Sequence, residues 1–380
     1  MKRNYEAIVV GGGIIGGSIA FHLAKRGYDV LLLDKGRAGK KASSAAAGML
    51  AAQAELDDCG PLFQLARKSR DMFGNLADEL KEITGIDIEL KDKGMYKIAL
   101  NEREAREYQR IIELQKRLGD QAEWLDQDEL RNLEPALSEA VTGAMYIEKD
   151  GHVSAPALTE AFLKASAALG ADIKEFTEVQ SLQFSGGKIT GVVTDSGEYA
   201  SDHVVIAGGA WSSKVMAASG LNLDTYPVKG ECFSVITERP LVTGTIFSHG
   251  CYIVPKKGNR IVVGATVKPN TFNEKVTMDG ILTLMEKARN IMPAITEGEL
   301  ESTWAGIRPQ TGDGLPYLGE HPLYQGLYAA TGHFRNGILL SPVTGQVMAD
   351  LIEDEQPEID LSPFLPGRAY ENRYAAAARD

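Results

Sequence analysis

Residues 7–34 read AIVVGGGIIGGSIAFHLAKRGYDVLLLD. Ala7–Val10 is a short, wholly apolar run suited to a strand buried on both faces. Gly11, Gly13 and Gly16 follow at G-x-G-x-x-G spacing, Ile14 to Lys25 continues with helical periodicity, and Val30–Leu33 is a second apolar strand closed by Asp34. Strand, glycine turn, helix, strand and terminal acid together form the dinucleotide-binding pattern. Gly11 permits the tight turn, Gly13 lets backbone approach a pyrophosphate, and Gly16 lets the helix pack closely. The phosphates would sit at the positive helix N-terminus, and Asp34, 18 residues after Gly16, would accept hydrogen bonds from an adenosine ribose. An ordinary buried hairpin does not require glycines at these places. At this point NAD and FAD are equally open.

Composition narrows the class. The chain has 380 residues and a formal charge of −12. An acidic balance disfavours a general nucleic-acid partner. Cys59, Cys232 and Cys251 give neither a C-x-x-C pair nor an even disulfide framework, so a cytoplasmic setting is expected. The six histidines do not fall at metal-ligand spacing with them, and no metal is expected. Lys2 and Arg3 before an apolar stretch look like a signal peptide, but Glu6 and the glycine turn interrupt it. No apolar run is long enough to span a membrane.

Along the chain, a small basic loop (Lys35 to Lys41) leads to the small-residue run Ser43 to Gly48. Helices are expected over 61–84, 102–118, 126–134, from Pro156 with Ser154 as cap, over 280–292, and over 337–352. Strands are expected at 94–100, 144–147, 171–176, 179–184, 189–194, 203–207 and 327–330, with a β-rich stretch over 226–268. The fold expected is α/β, α+β overall. Residues 1–85, 150–220 and 305–365 would form one discontinuous Rossmann-like dinucleotide domain, interleaved with an antiparallel-sheet substrate domain from 86–149 and 221–304. Residues 366–380 would be a polar tail.

The segments GGGIIG, SSAAAGML, VVIAGGAWS, VKGECFSV, CYIVP, WAGIRPQTGDGLPYLG and TGHFRNGILLSPVTG together resemble the FAD-dependent D-amino acid oxidase/sarcosine oxidase family across essentially the whole chain. The resemblance implies an FAD-binding domain with a substrate-carrying sheet. It implies that Gly11, Gly13 and Gly16, with Ile14 and Ile15, take the pyrophosphate and Asp34, with Lys35, the ribose. Ser43, Ser44, Ala47, Gly48 and Met49 would run past the cofactor, Val179 would meet the adenine side, and Gly208 and Trp211 would lie near the dinucleotide. His333, Arg335, Asn336, Gly337 and Ile338 would approach the flavin from a helix terminus, where positive charge and N–H groups favour its reduced anion. Sarcosine-oxidizing relatives attach FAD to a cysteine near Gly306–Ile307. None stands there in this chain, so the FAD would be non-covalent.

Arg308 is the first candidate for substrate binding, because an amino acid's carboxylate needs a fixed pose and a guanidinium offers a bidentate fork. WAGIRP places it between an aromatic strand and a proline turn, an unusual place for a merely solvated arginine. The resemblance adds Tyr252 beside that carboxylate and Arg335 near the flavin. Ala51 would lie near the pocket mouth, where small side chains would limit substrate size. The implied reaction is oxidative deamination of glycine, sarcosine or small D-amino acids by hydride transfer to flavin N5, with no side-chain general base. The products are glyoxylate or another 2-oxo acid, ammonia and, from O2, H2O2. The resemblance also implies a place in thiamine biosynthesis and a homo-oligomer, dimer or tetramer. The alternatives are a D-amino acid dehydrogenase feeding a quinone, a sarcosine oxidase, a tRNA-modifying or non-catalytic flavoprotein, and an NAD-dependent dehydrogenase.

Overall fold

The computed structural model describes residues 3–368; the part of the expected tail beyond 368 lies outside the described residues. The dinucleotide pattern folds as its periodicity predicts. β1 (Ala7–Val10), α1 (Ile14–Lys25) and β2 (Val30–Leu33) form a parallel pair with its crossover helix, Val9 facing Leu32. Later segments complete the layer: α2 (Ala155–Ala168), β3 (Asp172–Lys174), β4 (Val204–Ile206), β5 (Tyr317–Glu320), β6 (Leu327–Thr331) and α3 (Gly337–Ile352). The sheet order is β5-β6-β4-β1-β2-β3, with only β5 antiparallel to its neighbour.

Successive residues of a strand point to opposite faces, and both faces of this sheet are covered. Ala7, Val9, Val30 and Leu32 pack under α1, α2 and α3 in one core cluster. Ile8, Val10, Leu31 and Leu33 pack on a three-stranded sheet made of Val179–Ser185, Lys188–Thr194 and Gly197–Ala200. Each fully buried Ile, Leu or Phe here contributes about 1.5–3 kcal/mol.

The second body is a nine-stranded sheet. It is mixed rather than purely antiparallel, because Thr245–Ser248 pairs in parallel with Met95–Ala99. These two strands come from distant parts of the chain and need no hairpin to join them. Three local expectations change. The 61–84 helix is two helices, Pro61–Asp71 and Phe73–Thr84, meeting at Met72. Ser154 occupies the N-cap of α2, but its side chain makes no capping hydrogen bond. Arg308 does not precede a turn: it lies inside the strand Glu299–Thr311, which runs through Pro309 and pairs along Thr225–Ile236. An edge strand needs no N–H on its outer side, and the Pro309 carbonyl there accepts from Phe334 N at 2.8 Å. The expected division at 304/305 therefore falls within one strand.

Candidate active site

One continuous cavity of about 740 Å³ runs from the end of β2, past the N-terminus of α1, to the seam where the two bodies meet. At its first end Asp34 closes the glycine loop. Its Oδ2 accepts from Gly12 N and its Oδ1 from Gly36 N, both at 2.8 Å. Each oxygen keeps acceptor capacity for a ribose hydroxyl. Trp211 lines the same end, with Lys35 Nζ 4.6 Å and the Phe272 ring 5.4 Å from its ring centroid.

The middle is built by close backbone approach. Gly11 has φ +114°, and a Cβ there would stand 2.5 Å from the Ala207 carbonyl oxygen. Gly13 caps α1 without a side-chain capping bond, and Ile14 N donates to Ser43 Oγ at 2.8 Å. The helix thus presents its positive N-terminal end to the cavity. Gly48, at φ +82°, would drive a Cβ to 2.0 Å from the Val153 carbonyl oxygen, so only glycine keeps this segment against its neighbour.

At the far end the cavity meets Met49, Glu55, Cys232, Tyr252, Arg308 and Arg335. Arg308 donates from Nη1 to the Thr266 carbonyl at 3.2 Å. Among the described residues no carboxylate pairs with it. Arg335 differs. Its Nε lies 2.9 Å from Glu55 Oε2, and Nη2 donates to Oε1 at 3.2 Å, which holds its charge firmly. Tyr252 is buried opposite Gly264, where a Cβ would stand 2.3 Å from the phenol oxygen. Burial pushes its phenol well above the ordinary range, against the opposing pull of Arg308 and Arg335, so it stays a neutral hydrogen-bonding group. Cys232 Sγ is 3.5 Å from that hydroxyl, and burial raises its thiol as well.

Most residues singled out in the sequence line this cavity: Gly11, Gly13, Ile14, Ile15, Asp34, Lys35, Ser43, Ala47, Gly48, Met49, Val179, Gly208, Trp211, Tyr252, Arg308, His333, Arg335, Gly337 and Ile338. Four do not. Gly16 faces the loop, where a Cβ would stand 1.8 Å from the Gly11 carbonyl oxygen. Ser44 points away, its Oγ donating to the Lys41 carbonyl. Asn336 sits at the N-cap of α3, its N–H donating to the His333 carbonyl. Ala51 is not at a mouth. It is buried in the cluster around Tyr252 and Met95, because the buried Asp150 carboxylate takes the N–H groups of Gln53 and Ala54 and turns this segment inward. His333 lines the cavity but supplies no charge. Burial lowers it to about 3, and Nε2 lies 3.1 Å from Thr344 Oγ1. Positive charge at this end comes chiefly from Arg308, since Glu55 offsets Arg335, and from the N-terminus of α3, which has no acidic residue in its first turn. Sequence reading missed Glu55, Cys232 and Gly264 as site residues: Glu55 and Gly264 lie in none of the family-like segments, and Cys232, though within VKGECFSV, has no partner at motif spacing to mark it.

The cavity joins a phosphate-ready helix end, a ribose-facing carboxylate and a cationic far end. Fold and site together define a dinucleotide-binding oxidoreductase. The chain belongs to the family described as FAD dependent oxidoreductase, whose pattern matches residues 6–351. It is 48% identical over 367 residues to a glycine oxidase of Geobacillus kaustophilus, covering 96% of this chain and 97% of that protein. The crystal structure of glycine oxidase from Geobacillus kaustophilus superposes with a TM-score of 0.94 at 47% identity, covering 97% of this chain and 99% of that one. A bifunctional ThiO/ThiG protein of Synechocystis is 32% identical over 97% of this chain and 54% of its own length. The glycine cradle, the N-terminus of α1 facing the cavity and the cavity's reach from β2 to the arginines fit an FAD. Neither Gly306 nor Ile307 offers a side chain for a covalent link. No helix among the described residues is long and apolar enough to cross a membrane, and no acidic, histidine or cysteine cluster there could hold a metal.

Proposed function

We propose that this chain oxidatively deaminates glycine, and also sarcosine and small D-amino acids, with O2 as electron acceptor: glycine, O2 and water give glyoxylate, ammonia and H2O2. The observation that carries the reading is Arg308, a guanidinium on the cavity wall that no carboxylate of the described protein neutralises. Its free donors suit the substrate carboxylate, and such charge-assisted pairs are the strong ones. Tyr252, kept neutral by burial, supplies a hydroxyl beside it. Arg335 is already paired with Glu55, which offsets its charge and leaves no open fork. Among the described cavity-lining residues, His333 is a weak base held on Thr344 and Cys232 stays a thiol, so neither is suited to take a Cα proton. The chain therefore orients substrate, excludes water and tunes potential. Bound FAD supplies the two-electron chemistry.

The likeness to glycine oxidases supports glycine as substrate, and the likeness to the ThiO/ThiG protein supports a role in thiamine biosynthesis. We extend the proposal to a cytoplasmic homo-oligomer, dimer or tetramer. The test is a substrate panel with purified protein and no added acceptor, read as O2 uptake and H2O2 release. Equal glycine-dependent signals in both support the reading. Flavin reduction without O2 uptake favours a quinone-linked dehydrogenase instead.

A further inference from the structure

The VKGE segment holds two charged residues that the reaction does not use. Lys229 and Glu231 flank Gly230 and are 2% and 3% exposed. Both point away from the cavity into one network. Lys229 Nζ lies 2.9 Å from Glu231 Oε1 and donates to the Lys275 carbonyl. Glu231 accepts from Thr277 N at 2.7 Å, from Thr277 Oγ1 at 2.9 Å and from Thr266 Oγ1 at 3.0 Å. Burial alone would raise its carboxyl, but Lys229 and these donors hold it below the usual carboxylate range.

The network ends at Arg308. Glu231 N donates to Thr266 Oγ1 at 2.9 Å, and Thr266 N donates to the Glu231 carbonyl at 3.2 Å, so the Thr266 hydroxyl and its backbone N–H are both held by Glu231. The Thr266 carbonyl then receives Arg308 Nη1 at 3.2 Å. Gly230 is the floor of the same guanidinium. Val228 faces Arg308 in the strand register, and Arg308 reaches diagonally over Gly230. A Cβ on Gly230 would stand 2.3 Å from both Arg308 Nη1 and Nη2. A buried ion pair is weak support for stability in itself; here it fixes a carbonyl that aims an arginine.

We propose that Gly230, Glu231 and Thr266 are positioning residues for Arg308: glycine makes room for the guanidinium, and the Glu231–Thr266 clamp takes Nη1 and turns the remaining edge into the cavity. This rests on the reading of Arg308 as the carboxylate anchor. None of the three residues need touch the substrate's reacting atoms.

The test uses the FAD-loaded full chain. Acetate, a carboxylate without an amine, is titrated against the flavin absorbance spectrum, and KM and kcat for glycine are measured beside it. Gly230→Ala is expected to weaken acetate and raise KM by about tenfold to a hundredfold, the cost of a displacement near 1 Å, while kcat at saturation changes less than about threefold. Thr266→Val, which keeps the shape and removes the hydroxyl that holds Glu231, moves the same two quantities in the same direction, and Thr266→Ser restores them. A merely structural role would lower thermal stability without this KM-against-kcat split or the serine rescue. Acetate affinity and KM within about twofold of the parent in both Gly230→Ala and Thr266→Val overturn the proposal. Arg308→Ala, measured alongside, separates the two readings: if it leaves acetate binding unchanged, the anchoring role itself falls.

Discussion

Glu55 and Arg335 lie 280 residues apart and meet on the cavity wall, Nε to Oε2 at 2.9 Å. The pair makes the two cavity arginines unequal. Arg335 arrives neutralised by a protein carboxylate, whereas Arg308 donates to the Thr266 carbonyl and, among the described residues, pairs with no carboxylate. Glu55→Gln removes the negative charge and keeps the shape. Two unit charges several ångströms apart near a protein surface interact by about 1 kcal/mol or more, so acetate should bind roughly fivefold tighter to the variant. Flavin-absorbance titration measures this, and weaker binding would show that Glu55 assists the anion instead.

Arg308→Ala removes charge-assisted hydrogen bonds worth about 1.5–3 kcal/mol each. With two such bonds to a carboxylate, kcat/KM for glycine should drop by about 10²–10⁴. The dinucleotide end of the cavity is remote from this side chain, so the purified variant should keep its flavin-to-protein absorbance ratio. Steady-state kinetics with an unchanged KM contradicts the anchoring role.

Gly48→Ala meets both a φ of +82° and a carbonyl oxygen 2.0 Å away. We expect at least about 2 kcal/mol of destabilisation together with loss of FAD. Gly27 is a matched control: its φ is +88°, but nothing lies within 4 Å of its Cβ position. Gly27→Ala should cost only the backbone strain, about 1–2 kcal/mol, with FAD retained. Urea midpoints of the two variants decide it, and equal midpoints would mean that the close approach at Gly48 carries no weight.

His152 is buried against Thr245 and lowered to about 3, chiefly by burial and secondarily by Lys256 and Lys91. The unfolded chain, with an ordinary histidine near 6.5, binds the extra proton. Stability from this site is therefore full above about pH 6.5 and is lost as pH falls toward 3. At pH 5.5 the loss is about 1.4 kcal/mol. His152→Gln should remove that share, so unfolding free energies at pH 7.5 and 5.5 should differ less in the variant than in the parent.

The parts that were legible in the sequence are those written in local period and spacing. Gly11, Gly13 and Gly16 between two apolar strands can do little else, and the unbroken apolar run Ala7–Val10 predicts two covered faces. Arg308 was legible from its odd surroundings, yet its place inside a strand was not, because Pro309 reads as a stop when the outer side of an edge strand is not foreseen. Ala51 shows the limit of composition: a run of small residues does not say which of them faces the cavity, and the buried Asp150, about 100 residues on, decides it. Glu55 could not be found locally, since what marks it is Arg335. The neutrality of His333 follows from burial beneath α3, which only packing reveals.

The most direct test of the central claim, that this chain oxidises glycine held by Arg308, is anaerobic mixing of the FAD-loaded protein with glycine, followed by flavin absorbance. We predict bleaching whose rate saturates with glycine, and an Arg308→Ala variant that bleaches only at far higher glycine. A flavin that stays oxidised at saturating glycine, or an Arg308→Ala variant with the parent's glycine dependence, would contradict the account.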